Sequence, residues 1–170
     1  MRAENKLLHE ILRGREERAV FIKKLNEENK ETIVCFTVNS PGPYKLSDNY
    51  RFTFSEGVLA LENILNAKAL NKVERPSGFE AYFLINKSPE EIKELTAKLE
   101  EEHPLGRLFD IDIFYKNLLK ISREDIGMPK RKCLLCNNDA VECGRSRKHS
   151  VEELTAFIND LINEYKEKCI

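Results

Sequence analysis

Apolar residues change their spacing several times along the chain, and each change marks an element. Leu7, Leu8, Ile11 and Leu12, then Ala19, Phe21, Ile22 and Leu25, recur at helical spacing among charged residues, which predicts a helix, or a bent pair interrupted near Gly14. "TIVCFTV", Thr32 to Val38, is β-branched and aromatic, and the prolines of "NSPGPYK" end it as a strand running into a stiff loop. Val58, Leu61, Leu65 and Leu70 return to helical spacing between Ser55 and Asn71, and "EAYFLI", Glu80 to Ile85, reads as a second strand. "SPEEIKELTAKLEEE" opens with an N-cap serine, Ser88, a proline at the first helical position and acids in the first turn. Ile92, Leu95 and Leu99 form its core stripe, and it ends before Pro104.

"HPLGRLFDIDIFY", His103 to Tyr115, alternates as a strand should. Phe109, Ile111, Ile113 and Tyr115 fall on one side, and Leu108, Asp110, Asp112 and Phe114 on the other. "LLKIS", Leu118 to Ser122, returns beside it through Lys116 and Asn117 as a hairpin. A cysteine-rich, basic loop follows. Ser150 then caps a last helix with Glu153 completing a capping box and Val151, Leu154, Phe157, Ile158, Leu161 and Ile162 as its stripe. This order predicts an α+β fold: a mixed sheet covered by helices, helices at both ends, and a Cys-rich loop before the last of them.

Composition narrows the picture modestly. The 170 residues suit one domain spanning 1–170, with 41% hydrophobic and 34% charged residues. A net charge of −1 gives no global field for nucleic acid or membrane, so any anion-binding surface must be local. The first twenty residues break their apolar positions with charges, unlike a signal peptide. Five cysteines, three of them between 133 and 143, suit reduced thiols or metal ligands better than a disulfide framework. A cytoplasmic location is expected.

The chemistry concentrates in a few places. Asp110 and Asp112 share a strand face, where two carboxylates repel unless a cation or hydrogen bonds hold them. They read either as a Mg²⁺ clamp, with Gly106 giving close backbone approach and Arg107 forking onto phosphate, or as solvated acids of an edge strand. Cys133, Cys136, Cys143 and His149 have C-x2-C-x6-C-x5-H spacing. They read either as a tetrahedral Zn²⁺ site or as small residues packed under the last helix. Arg145 and Arg147 precede that helix as phosphate binders or solvated charges. Lys45 ends the Pro-Gly-Pro loop, and Arg15 and Arg18 share one helix flank.

Taken together, "FTVNSPGPYK", "HPLGRLFDIDI", "ISR" and "RKCLLCNNDAVECGRSRKHS" resemble the holo-acyl-carrier-protein synthase of citrate lyase, the apo-citrate lyase phosphoribosyl-dephospho-CoA transferase family. The likeness spans most of the chain and is looser from Asp48 to Ser77, where only Gly57 is carried over. It implies a nucleotidyltransferase that moves the phosphoribosyl-dephospho-CoA group of 2′-(5″-triphosphoribosyl)-3′-dephospho-CoA to a serine of the citrate lyase acyl carrier subunit, releasing diphosphate. By the same resemblance Asp110, Asp112, Arg107 and His103 are catalytic, the aspartates holding Mg²⁺. Lys45, Gly42, Arg15, Arg18, Gly106, Arg123, Arg145 and Arg147 bind substrate. An aspartate or His103 takes the serine proton, and the sequence leaves that choice open, as it leaves open Zn²⁺ at the cysteines. The alternative from another class is a zinc-knuckle module that binds nucleic acid or protein without catalysis.

Overall fold

The computed structural model describes residues 3–169, with side chains from Lys6 onward. The elements are α1 (Ala3–Glu28), β1 (Thr32–Val38), α2 (Asp48–Leu65), β2 (Asn71–Arg75), β3 (Gly78–Ile85), α3 (Pro89–Glu102), β4 (Phe109–Tyr115), β5 (Leu119–Ile121), α4 (Ala140–Ser146) and α5 (Val151–Lys168). Short 3-10 turns at Gly106–Leu108 and Glu124–Ile126 flank the β4–β5 hairpin. The strands form one sheet in the order β2-β3-β1-β4-β5.

The α+β class is as the sequence implies, but the sheet is antiparallel throughout rather than mixed. The reason is topological. β3 and β4 are joined through α3 and run the same way, as a crossover requires, yet β1 lies between them and pairs antiparallel with both. Thr37 consequently stands opposite Glu80 on one side and Asp110 on the other.

Three boundaries differ from the sequence reading. α1 is continuous through Gly14, because that glycine lets the helix lie directly on Ser77 in the β2–β3 turn. α2 stops at Leu65 with Asn66 in the left-handed conformation, φ 50°, a position asparagine tolerates. Residues 71–75, which begin where the helical spacing ends and which the sequence reading leaves unassigned, form the polar edge strand β2. The Cys-rich loop also contains about two helical turns, α4, capped by the Asp139 side chain on the amides of Val141 and Glu142.

The two sheet faces carry different chemistry. Val34, Phe36, Ala81, Phe83, Phe109, Ile111 and Ile113 face α2, α3 and α5 and are fully or nearly fully buried in one apolar core. Gly57 brings α2 onto this face so closely that a Cβ there would collide with the Phe36 ring and sit 3.1 Å from Phe109. Under α1 the opposite face begins as a smaller core of Ile22, Leu25, Ile33, Cys35 and Tyr82 and then turns charged. Among the described residues no helix is long and apolar enough to cross a membrane.

Candidate active site

The charged half of the α1 face is a cleft of about 400 Å³. β4 supplies one wall with Asp110 and Asp112, α1 the opposite one with Arg15 and Arg18, and the loop after β1 closes an end with Ser40 and Lys45. Strand alternation fixes which residues look in, since the apolar neighbours Phe109, Ile111 and Ile113 anchor the other face. Cys35 lies on the floor, but burial pushes its thiol up to about 12, so it stays protonated and is a poor nucleophile.

Charge in the cleft is only partly neutralised. Burial, then the neighbouring Asp112, raise the Asp110 pKa above the ordinary carboxylate range; its carboxylate is half exposed to water but enclosed by cleft walls. Arg131 lies 3.7 Å from Asp110, and Lys120, on β5 opposite Phe114, lies 2.6 Å from Asp112. Burial, then Arg15, lower the Lys45 pKa, while its ammonium donates to the Ser40 carbonyl. Behind the cleft the fully buried Glu80 accepts from Tyr82 Oη at 2.5 Å and lies 3.4 Å from Arg75 and 3.8 Å from Arg18. That network holds the guanidinium of Arg18 at the back of the cleft.

Two hard carboxylates on one open wall, one with its pKa raised by burial and then by the other, form a donor set that fits a divalent cation completed by water or ligand oxygens. Lys120 is the counter-ion such a metal would displace. A second donor set lies elsewhere. The ligand atoms of Cys133, Cys136, Cys143 and His149 are within 4.8 Å of one another, with Cys136 Sγ 4.0 Å from Cys143 Sγ and 3.4 Å from His149 Nε2. Tetrahedral Zn²⁺, with bonds of about 2.0–2.3 Å, needs separations close to these. All five cysteines are free.

The remaining residues singled out by sequence are not brought to the cleft. His103 ends α3 on the other side of the sheet, its ring 4.9 Å from that of Phe109 and 5.7 Å from that of Tyr165, and its Nδ1 accepts from the Leu105 amide. Arg107 turns away and donates to the Cys133 carbonyl at 2.6 Å. Arg123 is committed to Glu100 and Glu101, each at 2.8 Å. Gly106 makes its close approach to protein backbone, since a Cβ there would lie 2.5 Å from the Glu100 carbonyl. Gly42 has φ 69° and packs on Val151. Arg145 and Arg147 are exposed around the end of α4. Sequence reading missed Thr37, Glu80 and Lys120; the period-2 pattern places the first two on this face but cannot say which strands are neighbours.

Fold and cleft together define an α+β protein with a cleft that sets carboxylates opposite cations, and with a separate Cys₃His cluster. The chain belongs to the apo-citrate lyase phosphoribosyl-dephospho-CoA transferase family, whose model matches residues 6–165. A probable apo-citrate lyase phosphoribosyl-dephospho-CoA transferase of Vibrio cholerae is 38% identical over 139 residues, 78% of either chain. The Escherichia coli apo-citrate lyase phosphoribosyl-dephospho-CoA transferase is 34% identical, over 91% of this chain and 87% of its own length. Protein CitXG of Haemophilus influenzae is 33% identical over 93% of this chain, which spans 35% of that longer protein.

Proposed function

We propose that residues 1–170 form a single cytoplasmic transferase domain that moves the phosphoribosyl-dephospho-CoA group from 2′-(5″-triphosphoribosyl)-3′-dephospho-CoA to a serine of the acyl carrier subunit of citrate lyase, with release of diphosphate. In this nucleotidyl transfer the serine oxygen forms a bond to the phosphorus nearest the ribose as the bond to diphosphate breaks. The observation that carries the reading is the cleft itself: Asp110 and Asp112 face Arg15, Arg18 and Lys45 across a space sized for a polyphosphate.

The roles follow from charge and position. Arg15, Arg18 and Lys45 bind phosphate oxygens and orient the chain of phosphates for in-line attack. The ordinary tension between the two aspartates makes the wall receptive to cation. Asp110 and Asp112 would hold Mg²⁺, which when bound supplies positive charge for the leaving diphosphate. Of the candidates for the serine proton, Asp110 lines the cleft and His103 does not, so the acceptor is assigned to the carboxylate wall. The Cys₃His cluster is assigned to structural Zn²⁺. Family membership and a cleft separate from that cluster favour this reading over a non-catalytic knuckle. The test is intact mass of the apo carrier subunit after incubation with the chain, the triphosphoribosyl precursor and Mg²⁺. Addition of one prosthetic group is expected, and an unchanged carrier mass overturns the assignment.

A further inference from the structure

The open edge of β4 and the Cys₃His cluster hold each other. β5 pairs only with Ile113 to Tyr115, so the first half of β4, which carries both cleft aspartates, has no strand on that side. Outward-looking carbonyls at a bare edge need partners. Arg131 donates to the Phe109 carbonyl at 2.9 Å and the Arg107 carbonyl at 3.0 Å, and buried Lys93 donates to the Ile111 carbonyl at 3.3 Å. In return Arg107, in the turn that leads into β4, donates to the carbonyl of Cys133. Each segment thus grips the backbone of the other. Arg131 also lies between two acids on opposite sides of the edge, 3.9 Å from buried Glu100 and 3.7 Å from Asp110.

The segment that delivers Arg131 has little to hold its own shape. Between residues 130 and 150 the backbone is held by one bridge, Lys132 with Asp139, by the Cys133 amide on the Asn138 carbonyl at 2.8 Å, the Ala140 amide on the Arg131 carbonyl at 2.9 Å and the Lys148 amide on the Cys143 carbonyl at 3.3 Å, and by the seven-residue α4. Only Cys133 and Cys143 are buried there, and no disulfide closes it. So short a segment without a core needs a cross-link to keep one conformation.

We infer that Cys133, Cys136, Cys143 and His149 bind a structural Zn²⁺ whose task is to clasp residues 130–150 across the open edge of β4, with Arg131 and Arg107 as the two pins. Metal ligation fixes the Cys133 backbone, and both pins meet at or beside that residue. Arg131 and Arg107 are positioning residues here: they hold the aspartate strand rather than the ligand. This holds whatever group the chain transfers, so it stands or falls separately from the proposed activity.

The test uses the full chain prepared without chelators. Elemental analysis is expected to give one zinc per chain for wild type and for Cys169→Ser, and well under half for Cys136→Ser. Exchange into Co²⁺ is expected to give the thiolate charge-transfer and tetrahedral ligand-field absorption of such a site. Should wild type take up neither metal in stoichiometric amount after reconstitution, the site does not exist. Hydrogen exchange then reads the clasp. Removing zinc from wild type is expected to speed exchange at residues 130–150 and at the Asp110 and Asp112 amides by tenfold or more, leaving the β1–β3 ladder protected. The Asp110 and Asp112 amides face β1, opposite Thr37 and Cys35, so they report fraying of this half of β4 from β1, and Arg131→Lys is expected to keep zinc yet speed exchange at the same two amides. If either treatment leaves Asp110 and Asp112 as protected as before, the clasp is wrong.

Discussion

The two faces of the sheet are made by the same strands and do opposite work. Toward α2, α3 and α5, β1 and β4 present Phe36, Phe109 and Ile111 to a dry core. One residue along, toward α1, they present Thr37, Asp110 and Asp112 to an open cleft lined with arginine and lysine. Period-2 alternation permits this, because a residue and its neighbour see different media. The difference teaches that the apolar face holds the strands in register, so that the other can keep charges at close quarters that would not fold by themselves.

The largest effect that probes this contrast is on stability. Phe36 is fully buried, stacked on Phe54 with centroids 5.6 Å apart and edge-on to Phe109 at 5.4 Å. Phe36→Ala is expected to lower unfolding free energy by about 3–5 kcal/mol, measured by urea denaturation. Thr37→Ala, one residue away on the cleft face, is expected to lose less than about 1 kcal/mol. Equal losses would mean that the faces are not energetically distinct.

Next comes activity, where the order should invert. Asp112→Asn keeps size and hydrogen-bonding shape but removes the charge paired with Lys120. The expected loss of carrier modification is about a hundredfold or more in kcat/KM, with a melting temperature near wild type. A stable Asp112→Asn protein that works at the wild-type rate across a Mg²⁺ titration would remove the carboxylate wall from the mechanism.

How much of this was legible beforehand depended on whether a feature is local. Strand alternation put Asp110 and Asp112 on one face, and capping chemistry set the starts of α3 and α5 at Ser88 and Ser150. β2 was not legible, because an edge strand such as "NKVER" is polar on both sides and carries no alternation to read. The cleft as an assembly was not legible either. Arg15 and Arg18 were visible as a helix flank, but only the packing of α1 on β1, with Gly14 against Ser77, aims them at the aspartates. His103 and Arg107 show the converse. Closeness in sequence to Asp110 suggested closeness in space for Arg107, and the resemblance put His103 beside it, yet His103 ends α3 on the apolar face and the 3-10 turn at Gly106–Leu108 sends Arg107 to Cys133.

A smaller effect is expected at the cleft entrance. Lys45 sits among cleft residues with its pKa lowered by burial and Arg15, and its proposed role is to meet phosphate rather than to do chemistry. Lys45→Ala is expected to raise KM for the triphosphoribosyl substrate by about tenfold, on the order of 1.4 kcal/mol, with a lesser change in kcat. A fall in kcat at unchanged KM would move Lys45 from binding to the transfer step.

The smallest effect ties the two faces together. A carboxyl whose folded pKa is raised, as burial and Asp112 raise that of Asp110, contributes stability below its unfolded pKa of about 3.9. That contribution is lost as pH rises through the higher folded value. Ionised Asp110 is therefore a burden on the fold at neutral pH, carried by the apolar face behind it. Asp110→Asn cannot ionise, so in magnesium-free buffer it is expected to melt slightly above wild type at neutral pH. The gap should close as pH falls through the carboxylate range. Mg²⁺ should also narrow it by raising wild type alone, because a cation between the aspartates removes the repulsion that asparagine relieves by other means. Melting curves across pH, with and without Mg²⁺, check all three. An Asn variant less stable than wild type at neutral pH would show that Arg131 and Lys120 already satisfy the wall and that the cleft stores no electrostatic tension.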